Sequence, residues 1–322
     1  MLYHYLKLMA GIAIRVFFRK IVINHPERLR EKGPLLLASN HPNSFLDSVL
    51  LNTIFRQPVW SLARGDVFKK PLFRKLLTAV KILPVYRTSE GVENLSENYK
   101  TFDACMELFK QNGIITIYSE GKCINEWHLR PLKKGTARLA IKAWEENIPL
   151  RVLPVALNYS SFTRFGKNIF INFGEIITSD VIAAHTADGP RNLEFNNRLR
   201  QELEKGVYEI PSTDIKQRKE KLSVPVSSLK KIILFLPGCL GWLINVPPFI
   251  FARKNAISRL KEPGHYDSVV MGILLLTYPL YILLLTITLL LISHSWWSFL
   301  FPIVALFTAW AYVQVKAQMS NE

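Results

Sequence analysis

Cysteine is scarce in this 322-residue chain: Cys105, Cys123 and Cys239 lie far apart, with no CxxC pair among them. That argues against a disulfide framework and against a zinc site, and fits a reducing compartment. Acidic residues are outnumbered, 25 against 41 Lys and Arg, so the formal net charge of +16 calls for an anionic partner, nucleic acid or anionic lipid. No RNP-like aromatic motif, helix-turn-helix signature or zinc spacing supports nucleic acid. No cleavable signal peptide, internal repeat or low-complexity tract is evident. Ser44 has no G-x-S-x-G elbow around it, which removes the usual serine-hydrolase reading.

Apolar residues are what the chain has in surplus, at 49% of the total, and they are concentrated at the C-terminus. "IILFLPGCLGWLINVPPFIFA", "SVVMGILLLTYPLYILLLTITLLLI" and "SWWSFLFPIVALFTAWAYVQV" are each about as long as a bilayer core is thick. The last two, 268–292 and 295–315, read as a transmembrane hairpin with a short uncharged turn near His294. Arg253, Lys254, Arg259 and Lys261 precede that pair and Lys316 follows it, so both ends belong in the cytoplasm. The first run, 229–252, has Lys230 and Lys231 before it, Arg253 and Lys254 after it, and Pro237, Gly238, Pro247 and Pro248 within it. A re-entrant or interfacial course is expected there.

At the other end, residues 1–30 read as a membrane-surface helix, since Leu6, Met9, Ile12, Ala13, Val16 and Phe17 recur at helical spacing. A helix packed on the neighbouring domain is the alternative. Residues 31–228 alternate short apolar runs with helix-like segments, as an α/β domain does. "PLLLAS", "PVWSLA", "KILPVY", "GIITIY", "LRVLPVAL" and "NIFINFGE" are the expected strands, and "LEFNNRLRQELEKGVYE" is a late helix before a lysine-rich connector.

Within that domain "LLLASNHPNSFLDSVLL" puts His41 at the end of a strand and Asp47 in the helix that follows. A carboxylate bonded to one ring nitrogen fixes the tautomer and leaves the other free to take a proton, which makes a general base without a nucleophilic side chain. The bland reading is a turn histidine beside a solvated aspartate. The triplet alone means little, because "INHPE" at residues 23–27 repeats it with no aspartate six positions later. "KILPVYR" ends a strand on Arg87, "IYSEGKC" ends another on Glu120 and Gly121, and "LRPLKKG" sets Lys133, Lys134 and Gly135 before a helix carrying Arg138. Cations at strand ends and helix N-termini are how α/β proteins hold phosphate.

In this order, the His-and-Asp motif, the arginine after a strand, the Glu-Gly block and Pro154 in "VLPVAL" resemble the glycerolipid acyltransferase family over about residues 35 to 160. The resemblance implies transfer of a fatty acyl group from acyl-CoA or acyl-ACP, as co-substrate and without a metal or other cofactor, to 1-acylglycerol 3-phosphate at a phospholipid membrane. It implies His41 as base and Asp47 as its orienter. It makes Asn43, Ser44, Arg87, Glu120, Gly121, Lys122, Lys133 and Lys134 the substrate-binding candidates. The sequence departs from the family in two places: five residues separate His41 from Asp47 where four are usual, and Ser119 replaces the proline of the Pro-Glu-Gly block. The longer spacing resembles relatives that acylate glycerol 3-phosphate or dihydroxyacetone phosphate. Other lysophospholipids are further candidate acceptors, and a non-enzymatic basic membrane or nucleic-acid binding protein is the rival class. The C-terminal hairpin is expected to set location and to be dispensable for chemistry.

Overall fold

A computed structural model of the chain describes residues 2–85, 95–182, 187–260 and 263–318. It begins with α1 (Leu2–Phe17) and β1 (Phe18–Ile23). An alternating stretch follows: β2 (Leu35–Ser39), α2 (Ser44–Ile54), β3 (Val59–Arg64), α3 (Pro71–Ala79), β4 (Ile82–Val85), α4 (Leu95–Lys110) and β5 (Ile114–Tyr118). After it come α5 (Lys134–Glu145), β6 (Arg151–Tyr159), β7 (Lys167–Phe173), α6 (Asp188–Gly206) and α7 (Ile215–Leu222). The chain ends in α8 (Ser228–Arg259), α9 (Tyr266–Ser293) and α10 (Phe301–Val315).

The strands form one seven-stranded sheet in the order β1-β7-β6-β2-β5-β3-β4. From β6 to β4 all neighbours are parallel, while β7 runs antiparallel to β6 and carries β1 parallel to itself. A parallel strand covered on both faces must be apolar at every position, and "LLLAS" is buried throughout. Alternation then sorts its side chains. Leu36 and Ala38 join Phe109, Leu139 and Leu199 on one face, and Leu35 and Leu37 join Phe17, Leu46 and Leu50 on the other. Because β2 lies between β5 and β6, whatever follows Ser39 emerges beside Tyr118 and Val155 at the carboxyl end of the sheet. That edge is where open α/β sheets gather ligands.

The structure adds detail to three expectations. The N-terminal segment is not one surface helix to residue 30: the helix stops at Phe17, and "FRKIVI" becomes the sheet's edge strand. One face of α1, with Ile14 and Phe17, packs on the domain core, while Met9 and Ile12 turn toward α8 and α9. The lysine-rich connector contains α7, whose N-cap Asp214 accepts from the Gln217 N–H. The 229–252 run lies within one continuous 32-residue helix that contains Pro237, Pro247 and Pro248.

Among the described residues α8, α9 and the span Trp296–Val315 are long and apolar enough to cross a membrane. Both ends of α8 nevertheless face the α/β domain. Lys230 near its start donates to Gln314 Oε1 at the end of α10, and Ala252 and Ala256 near its finish pack on Val270 at the start of α9. The end of α10 is fixed to the domain by Arg19, which donates to the carbonyls of Gln314 and Lys316 and so caps the negative end of the helix dipole. Together with α1 these helices enclose an apolar cavity of about 660 Å³, lined by Met9, Ile12, Trp242, Leu275, Leu283 and Leu306 among others.

The α8–α10 crossing depends on Gly241, where an added Cβ would lie 1.9 Å from the Thr308 carbonyl oxygen. Gly241→Val should therefore destabilise the detergent-solubilised protein by roughly 1–3 kcal/mol, the usual cost of overpacking. Gly272→Ala, on α9 with open space around it, should not. Comparative thermal unfolding checks the pair.

Candidate active site

The turn after β2 is built around Asp47. This carboxylate is 0% exposed, and a buried charge must be met by donors. His41 Nδ1 lies 2.9 Å from Oδ2, the Asn43 N–H donates to the same oxygen at 2.9 Å, and the Tyr159 hydroxyl donates to Oδ1 at 2.6 Å. Local geometry delivers this arrangement. Ser44 takes a left-handed φ of 51°, α2 starts at once, and one helical turn carries Asp47 back over the Asn43 amide.

The imidazole is held on two sides. Its face stacks on Tyr118 with centroids 3.8 Å apart and planes 12° from parallel. With Nδ1 turned to Asp47 the proton on that nitrogen is fixed, and Nε2 makes no hydrogen bond among the described residues while 18% of the side chain stays exposed. Burial, reinforced by the Asp47 charge, pushes the phenols of Tyr118 and Tyr159 well above the ordinary tyrosine range. Tyr159 thus remains a donor to Asp47. The Cys123 thiol is pushed up to about 12 by burial first and by Asp47 second, so it stays protonated beside the site and is not a thiolate nucleophile.

Glu120 stands one strand over and is buried. Its carboxylate accepts the His41 N–H at 2.8 Å and the Arg130 N–H at 2.9 Å, one on each oxygen. Burial raises its pKa and these two N–H groups oppose the rise. Glu120 therefore braces the backbone of the histidine turn. The neighbouring Gly121 has φ +69°, a left-handed turn in which an added Cβ would meet the Lys133 side chain at 3.1 Å. The Lys133 N–H donates to the Ser119 carbonyl at 2.7 Å, and Lys122, Lys133, Lys134 and Arg138 present their side chains to solvent. Arg87 lies outside the described residues.

Asn43 and Ser44 point elsewhere than the sequence reading implied. The Asn43 side chain donates to Asp267 Oδ2 at 2.7 Å, and Ser44 Oγ lies 2.5 Å from His265 Nδ1. Both partners come from the start of α9, so the apolar α9–α10 pair lies against the turn that carries His41 and Asp47. Tyr159, Tyr118, Lys167, His265 and Asp267 are site residues that spacing alone did not reveal. A tyrosine closing an apolar strand and a "GHYDS" string opening an apolar run were the signals available, and both read equally well as ordinary boundaries. Among the described residues no three His, Cys, Asp or Glu side chains are grouped as a metal site requires.

Residues 20–158 match a family model described as Acyltransferase. Among solved structures the chain is similar to the 1-acyl-sn-glycerophosphate (LPA) acyltransferase PlsC from Thermotoga maritima, at 15% identity and a TM-score of 0.45, over 64% of this chain and 80% of that one. No curated protein matches.

Tyr159→Phe removes one of the three donors and leaves Asp47 Oδ1 buried without a partner. The expected loss of stability is about 1–3 kcal/mol. A double-mutant cycle with Asp47→Asn, read by thermal denaturation, should show that the two substitutions are not additive.

Proposed function

We propose that this chain, whose residues 20–158 match the acyltransferase family model, is an acyltransferase that moves a fatty acyl group from acyl-CoA or acyl carrier protein to the free hydroxyl of 1-acylglycerol 3-phosphate, giving phosphatidic acid. The observation that carries the reading is the His41–Asp47 couple, with Nδ1 engaged at 2.9 Å and Nε2 unengaged among the described residues. Nε2 takes the proton of the acceptor hydroxyl as that oxygen attacks the thioester carbonyl. Collapse of the tetrahedral adduct breaks the C–S bond, and the imidazolium returns its proton to the departing thiolate. With the Cys123 thiol held protonated, a direct transfer is favoured over an acyl-cysteine intermediate.

Lys133, Lys134 and Arg87 are assigned to the acceptor phosphate, with Gly121 supplying close backbone approach. Glu120 acts on the acceptor only through the His41 turn it braces. A lipid substrate is also supported by the apolar cavity between α1 and the C-terminal helices, whose size falls within the range of ligand pockets. Each Lys or Arg near an anionic bilayer adds about 1 kcal/mol of attraction. The catalytic domain is placed on the cytoplasmic side because the basic ends of the hairpin face it.

Two experiments test this. On purified protein, thiol release should be fastest with 1-acylglycerol 3-phosphate in a panel containing glycerol 3-phosphate, dihydroxyacetone phosphate and other lysophospholipids. His41→Ala should lower turnover by roughly two to four orders of magnitude. Near wild-type transfer by that variant would sink the assignment of the base. For topology, α8 is expected to enter and leave the bilayer surface on one side. Single cysteines at Lys231 and Lys254, in a background lacking Cys239, should be labelled by an impermeant thiol reagent from the same side of sealed vesicles. Labelling from opposite sides would make α8 a full span.

A further inference from the structure

Asparagine is a favoured N-cap because its side chain accepts from the first free amides of a helix. Asn43 occupies the N-cap of α2 and makes no such bond. Its amide instead donates to Asp267, the second residue of α9. Lys167 Nζ donates to the same carboxylate oxygen, and Asn43, Lys167 and Asp267 are 1%, 0% and 1% exposed. Two more contacts join the same pieces. Ser268 Oγ accepts the Leu46 N–H at 3.1 Å, satisfying an amide in the first turn of α2. Ser44 Oγ meets His265 Nδ1, while the Ser44 N–H donates to Cys123 Sγ, whose thiol faces the Gly264 carbonyl at 3.7 Å.

We propose that the Gly264–Ser268 segment is a working part of the active site, with Asp267 as a positioning residue for the His41–Asp47 couple, so that acyl transfer requires the seated membrane hairpin. The inference rests on the general-base reading of His41. Its geometric core is that Asn43 is held by two carboxylates. Its main-chain N–H binds Asp47 Oδ2, the oxygen that also takes His41 Nδ1, and its side chain binds Asp267. A shift of Asn43 therefore displaces the anchor of the imidazole.

Lys167 sets the energetic terms. A lysine buried without a counter-ion carries a large desolvation cost, so an empty Asp267 position leaves an uncompensated charge beside the catalytic turn. An ion pair of this kind is weak evidence for stability and better suited to fixing one arrangement among several. The arrangement fixed here is the docking of α9 on the turn after β2. The domain is then competent only where α9 is in place, which confines the reaction to the membrane that supplies its acceptor.

The test uses the full-length protein in lipid vesicles, comparing Asp267→Ala with the double variant Asp267→Asn/Lys167→Met. The double variant keeps an amide oxygen for Asn43 and leaves no unpaired buried charge. Misplacement of a catalytic group by about 1 Å can cost roughly a hundredfold, so Asp267→Ala is expected to lower kcat by about 10- to 100-fold, with KM for donor and acceptor within about threefold. Its acid limb in the pH–rate profile should move as well, because the imidazole has lost its orientation. The double variant should recover kcat to within about fivefold of the unaltered enzyme.

A substrate-free readout accompanies these. Carbethoxylation of His41 by diethylpyrocarbonate, followed by peptide mass spectrometry, should change in rate by about threefold or more in Asp267→Ala and return in the double variant, as expected when an unprotonated ring nitrogen is repositioned. Three results would overturn the proposal. One is wild-type kcat and His41 reactivity in Asp267→Ala. Another is a loss explained wholly by a smaller folded fraction, with the pH profile unmoved. The last is a double variant as impaired as the single one. Inactivity of the unaltered enzyme toward every acceptor would overturn acyl transfer instead, and the His41 reactivity would still decide the positioning.

Discussion

A carboxylate cut off from water governs this molecule. Asp47 has no exposed surface, and its charge is tolerated because three donors converge on it from a ring, a backbone turn and a neighbouring strand. Each donor needs a different part of the fold. The His41 ring and the Asn43 amide require β2 to end at Ser39 and α2 to begin within a few residues. Tyr159 requires β6 to lie directly beside β2, as the sheet order places it. Asn40 ties the same two strands, exchanging side-chain bonds with the Leu157 backbone at 2.8 and 3.1 Å. The sheet is thus the means by which an imidazole acquires a fixed tautomer.

Glu120 illustrates a second carboxylate put to a different use. The motif reading makes it a group that grips substrate; in the fold its two oxygens accept the N–H groups of His41 and Arg130. The physical reason is that turns leaving the carboxyl ends of parallel strands have amides with no strand partner. An acidic side chain beneath them satisfies two at once and joins the 41–44 turn to the 120–130 segment. Asn125 adds to the joint by donating to the Pro42 carbonyl at 2.7 Å.

Much of this was legible in the sequence, and what was not has a common cause. Strands buried on both faces announce themselves as unbroken apolar runs, so "LLLAS", "GIITIY" and "LRVLPVAL" were readable, as were the helices between them. The strand "FRKIVI" was hidden because it follows α1 without a break and carries Arg19 and Lys20, which look like the polar face of a continuing helix. Only the fold shows that Arg19 is buried against Gln314, 295 residues away. His41 and Asp47 were found because six residues separate them. Tyr159 lies 112 positions from Asp47 and Asp267 lies 224 from Asn43, and no local periodicity encodes such pairings.

The same distinction revises the meaning of the net charge of +16. A sequence total treats every cation as available to an anionic partner. Arg19 is consumed in capping α10 and Lys167 in neutralising Asp267, both out of solvent. Lys122, Lys133, Lys134 and Arg138 remain on the surface near the carboxyl end of β5 and the start of α5. The charge therefore has two functions in one chain. Its buried part joins the apolar helices to the α/β domain through specific bonds, and its exposed part lies open to solvent. Through Asp267, Lys167 is joined to Asn43, so the contacts that seat α9 on the domain and those that hold the His41–Asp47 couple share one residue.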